Sequence, residues 1–69
     1  MSDSGFNTLF LMESEIYANR LTEFAHEEGL YTRRVNDLQV LVYTDDSDTT
    51  NYIKENCEGI CFSRLMWMD

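Results

Sequence analysis

Residues 30–50 read LYTRRVNDLQVLVYTDDSDTT. Two runs of strand-forming residues, Leu30 to Val35 and Leu38 to Thr44, flank Asn36-Asp37. Both turn residues tolerate positive φ, so a tight hairpin is expected here. In the second run Leu38, Val40 and Val42 share one face, and Gln39, Leu41 and Tyr43 share the other. The apolar run then empties into Asp45, Asp46, Ser47 and Asp48. Short oxygen acceptors there satisfy the free N–H groups of a helix start, and their charge suits its positive end. The spacing predicts a helix from Asp46 or Ser47 to Cys57. Its expected inner stripe is Tyr52, Ile53 and Cys57, and Gly59 is its stop signal.

The same logic extends to both ends. Phe6 to Met12, FNTLFLM, is a short apolar run suited to a mostly buried strand. Glu13 to Glu28 predicts a helix with Ser14 as N-cap and Gly29 at the left-handed C-terminal position. Tyr17, Ala18, Leu21, Phe24 and Ala25 recur at three- and four-residue spacing and form its apolar stripe. Ile60 to Met68 predicts a last strand. The element order β-α-β-β-α-β resembles the ferredoxin-like split βαβ arrangement. That resemblance implies an α+β fold, with a four-stranded antiparallel sheet and two helices on one face. The other sheet face would be left open. Residues 1–5 are expected to form a loose tail and 6–69 a single domain.

Thirteen acids stand against five bases, a formal net charge of -8. Proteins that hold nucleic acid neutralise phosphates with Lys and Arg, so direct binding to DNA or RNA is not expected, nor to an anionic membrane. A basic protein surface is the natural complement. No apolar run approaches the roughly 20 residues of a membrane span. The N-terminal MSDSGFNTLFLMESE lacks a basic n-region and a small-residue cleavage site, so no signal peptide is expected. Two cysteines without an export signal fit a reducing cytoplasm.

Asp46, Asp48 and Thr50 spell D-x-D-x-T after a strand, which resembles the nucleophile motif of haloacid-dehalogenase-type phosphatases. That chemistry would use Asp46 as nucleophile, Asp48 as acid/base and Mg²⁺ to neutralise phosphate. It also needs a distant lysine and a larger parallel sheet, and the short remainder of the chain has room for neither. A calcium loop counted from Asp46 would need Gly and Glu where Asn51 and Cys57 stand. Cys57, Cys61 and His26 lack the spacing of a zinc knuckle or a C-x-x-C redox pair. The two cysteines read as small buried side chains, and His26 as a solvated partner of the helix end. No enzyme activity, cofactor or metal is expected.

RNA-recognition domains share the split βαβ order, but their basic and aromatic central-strand signature is absent from LQVLVYT. Small-molecule-sensing ACT-type domains share it too, but Met12-Glu13-Ser14 leads straight into the helix without their glycine-bearing loop. Two readings remain. In the first, Glu15, Glu23 and Glu27 on one helix and Asp48, Glu55 and Glu58 on the other form an acidic plate, with Asp45 and Asp46 at its rim. It would bind, and by imitating nucleic acid inhibit, a protein with a basic surface. Small phage-encoded inhibitors, including anti-CRISPR proteins, resemble this chain in being short, acidic and without a catalytic motif. In the second, the chain is a homodimeric regulatory or structural module. It would pair through the open sheet face by Phe10, Leu41, Tyr43 and Trp67, with a small molecule as a ligand it could sense.

Overall fold

The computed structural model describes residues 6–44 and 47–67, with side chains over 7–44 and 48–64. The elements are β1 (Phe6–Met12), α1 (Glu15–Glu27), β2 (Tyr31–Asn36), β3 (Gln39–Thr44), α2 (Ser47–Asn56) and β4 (Ile60–Trp67). The strands form one four-stranded sheet in the order β2-β3-β1-β4. Every neighbouring pair is antiparallel. This arrangement is compatible with a ferredoxin-like α+β fold. The expected tail, residues 1–5, lies outside the described residues.

Alternation along the central strands sets the layers. Thr8, Phe10 and Met12 of β1 and Val40, Val42 and Thr44 of β3 are buried. They meet Ala18, Leu21 and Ala25 of α1 and Thr50 and Ile53 of α2, so both helices cover one sheet face. Strand periodicity of two against helical periodicity of three to four brings these residues together. Within this apolar core Thr8 and Thr50 share a hydrogen bond of 3.0 Å between their hydroxyl oxygens. Thr44 approaches the same Thr50 oxygen at 3.4 Å.

The helices run side by side in opposite directions. Phe24 packs on Tyr52 with ring centroids 5.7 Å apart. Glu28 and Asp48 line one shared depression, and Arg20 and Asn56 line another. Tyr52, expected inside, is therefore an inter-helix residue and 46% exposed, whereas Thr50 holds the inner position. Phase decides this: Thr50 lies three residues before Ile53, on the same stripe.

α1 ends in a Schellman turn. Gly29 N–H donates to His26 O and Leu30 N–H to Ala25 O. Gly29 has the positive φ, +80°, that this turn demands. Ser14 stands at the N-cap in extended conformation but makes no side-chain cap bond. Gly59, after α2, also has positive φ and lies against the Tyr17 ring. Its carbonyl accepts the Glu13 N–H at 2.6 Å, tying the start of α1 to the end of α2.

The hairpin turn lies one residue later than the sequence suggests. Asn36 pairs with Gln39, and the register shifts between Arg34 and Asn36, leaving Val35 as the extra residue. No described non-glycine residue has positive φ, so the turn does not use the left-handed tolerance of Asn36-Asp37. Instead Asn36 Oδ1 accepts the Leu38 N–H at 3.0 Å, and the bulge supplies the added twist. A second shift, between Leu11 and Met12, leaves Cys61 extra on β4. Both edge strands are thus bulged, which blunts sheet-to-sheet aggregation.

Candidate functional site

Charge is sorted by element. No described strand residue is an acid. Every described carboxylate lies on a helix or in a connecting segment. Glu15, Glu23 and Glu27 of α1, Asp48 and Glu55 of α2, and Glu58 just beyond it are all exposed. Opposite the buried stripe of α1, Glu23 and Glu27 point outward, and Asp48 and Glu55 hold the matching positions on α2. The antiparallel packing brings Asp48 and Glu28 to the same end of the layer. Arg20 and Lys54 also belong to this layer, and Arg20 lies over the Tyr17 ring at 5.8 Å. Asp45 and Asp46 lie outside the described residues.

The opposite sheet face has another character. The strand register places Arg33, Leu41, Leu9 and Arg64 in one row across β2, β3, β1 and β4. The next row toward one end holds Tyr31, Tyr43 and Asn7. The row toward the other holds Gln39, Leu11 and Phe62. Tyr31 is 82% exposed and Phe62 60%. Tyr31 and Tyr43 meet edge to face at 6.4 Å and line a shallow depression with Thr32 and Arg33. Arg33 and Arg64 have no hydrogen bond or ion pair among the described residues. Arg34, on the other side of β2, is held by Asn19 Oδ1 and by the carbonyls of Asn36 and Asp37. Asn7 Oδ1 is buried without a hydrogen-bond partner among the described residues.

Leu41 and Tyr43, expected on the open face, stand there, half-buried. Phe10 does not: it is completely buried beneath the helices. Both parities of FNTLFLM are partly apolar, so the face of Phe10 is settled by Thr8 and Met12 pointing with it to the core. Trp67 pairs with Phe6 in the sheet, and its side chain lies outside the described residues. The register also brings Arg33 and Arg64 to this face; the sequence left them either as edge gatekeepers or as partner contacts. Arg33 was traceable from its parity with Tyr31, whereas the bulge at Cys61 breaks the parity count that leads to Arg64.

The remaining candidates form no shared site. His26 Nε2 lies 2.9 Å from Thr32 Oγ1 at the surface. Both cysteines are free. Cys57 is half-buried, and burial pushes its thiol pKa above the ordinary value. Cys61, expected to be buried, is exposed because the bulge turns it out of the sheet alternation. Thr50, the third residue of D-x-D-x-T, is a core hydroxyl. No group of three metal-ligating side chains occurs among the described residues, and no described helix is long and apolar enough to cross a membrane. The chain matches no family model, no curated protein and no solved structure.

Proposed function

We propose that this chain is a small acidic interaction module whose helical layer engages a basic, nucleic-acid-handling protein and occludes its nucleic-acid site. The finer fold assignment, ferredoxin-like, belongs to the same reading. The observation that carries it is the placement of carboxylates where folding does not want them. Glu27 lies in the last turn of α1 and Glu28 caps its end, against the negative pole of the helix. Glu55 lies in the last turn of α2, against the negative pole of that helix as well. A cationic partner surface relieves both, so the cost in the free protein becomes a gain in the complex.

The mechanism is electrostatic steering followed by steric exclusion, with Glu23, Glu27, Asp48, Glu55 and Glu58 in contact and Glu15 at the margin. The test is affinity capture from native cells with the wild type and with Glu23→Lys/Glu27→Lys. Salt is raised from about 0.1 M to 1 M, where the screening length falls from about 10 Å to about 3 Å. The expected partner is basic, is released by salt and by competing nucleic acid, and is lost on charge reversal. Capture that survives both salt and charge reversal would refute the reading.

A further inference from the structure

We propose that the open sheet face docks an amphipathic helix of a partner protein, one whose apolar stripe is rimmed by carboxylates on both sides. This goes beyond the acidic helical layer and uses the opposite surface. Leu9 and Leu41 lie at the centre, Leu11 and Phe62 to one end, and Tyr31 and Tyr43 to the other. Arg33 and Arg64 close the central row at its two ends, unpaired among the described residues, on a chain of net charge -8. Nine carboxylates are described, and none of them pairs with either arginine of this face. The missing counter-charges then belong to the occupant.

The dimensions select a helix. Three strand spacings of about 4.8 Å set the two arginine positions about 14 Å apart. A helix of about 10–12 Å diameter laid along the strands fits between them and offers a carboxylate to each. The three rows extend about 13 Å along the strands, which about nine helical residues cover. This would repeat on the open face the helix-on-sheet packing that α1 and α2 provide on the other.

A second copy fits less well. Two copies stacked face to face with strands aligned would set Arg33 over Arg64, or each arginine over itself, depending on the two-fold axis. Neither arrangement supplies a counter-charge from the sheet, because no described strand residue is an acid. Single-stranded nucleic acid would offer phosphates, but its repeated charge meets the net repulsion of the whole chain, whereas a helix needs only two local carboxylates.

The test uses a synthetic helical peptide with leucines at a and d and glutamates at the flanking e and g positions. A twin carries lysines at e and g. Backbone amide shifts of the labelled protein are followed at about 0.15 M salt, where repulsion beyond about 8 Å is screened. The glutamate-rimmed peptide is expected to shift Leu9, Leu41, Tyr43 and Phe62, and its twin to leave them in place. Arg33→Glu/Arg64→Glu, at exposed positions, is expected to weaken the first peptide about tenfold or more and to admit the second. Equal shifts of these four residues with the two peptides, or shifts from the glutamate-rimmed peptide confined to the helical layer, would overturn the proposal. So would an absence of shifts, occupation of the face by a single-stranded oligonucleotide, or a free protein that sediments as a dimer with this face protected.

Discussion

The buried hydroxyl cluster offers the most demanding test of the packing. In Thr50→Val the side chain keeps its shape and loses its oxygen. Thr8 Oγ1, in a residue only 1% exposed, then loses its partner at 3.0 Å. An orphaned buried hydroxyl costs about 1–3 kcal/mol. For a chain of this size each kcal/mol lowers Tm by about 4–8 °C. Thr8→Val is milder, because Thr50 retains Thr44 at 3.4 Å. We expect about 0.5–1.5 kcal/mol there, the net worth of one hydrogen bond. Thr8→Val/Thr50→Val removes both oxygens, and Thr44 keeps a further interaction. The double variant should therefore lose less than the two single variants together. Urea unfolding of the four proteins, with a shared m-value, gives a coupling expected at about 1 kcal/mol. Additivity within about 0.3–0.5 kcal/mol would show that the hydroxyls act independently and would refute the cluster.

Four further outcomes follow from particular residues. Gly29→Ala meets only its positive φ, since a Cβ there touches nothing, and should cost about 1–2 kcal/mol; Gly59→Ala also drives a methyl into the Tyr17 ring and should cost clearly more by chemical denaturation. Glu27→Lys should stabilise the free protein by about 0.3–1 kcal/mol while weakening capture of the basic partner, a split that loss of folding does not produce. Asn7→Leu should raise stability by about 1 kcal/mol in thermal unfolding, because it replaces a buried acceptor that has no donor among the described residues. A thiol reagent at mildly alkaline pH should label Cys61 before Cys57, with the gap narrowing as pH rises, because thiolate is the reacting form and burial raises the Cys57 pKa; equal rates at all pH values would contradict the described environments.

The element order was legible because each signal was local. Val40 and Val42 alternate with Leu41 and Tyr43, Ala18, Leu21 and Ala25 recur helically, and Gly29 and Gly59 mark helix ends. What was not legible depends on partners distant in the chain. The turn at Asp37-Leu38 is selected together with the bulge at Val35, and neither is specified by a glycine. Phe10 takes its face from the whole sheet, because its own strand is apolar on both sides. Thr50 belonged to a conspicuous motif, yet its destination was fixed by Thr8, on a strand at the opposite end of the sequence. The row from Arg33 to Arg64 exists only once three ladders are in register, so no window of sequence contains it.

The pairing of Phe6 with Trp67 has a practical reach of its own. These positions face each other across one ladder, about 5 Å apart. A short peptide bridge between them would close the backbone into a ring without disturbing the central strand. New ends could then be opened at the exposed Asp37-Leu38 turn. Such a circular permutant would preserve the β1–β4 ladder while moving the points of attachment to the far end of the sheet. Fused by its old ends or its new ones, the molecule could be immobilised from either rim, with both broad faces left accessible to compare what each one captures.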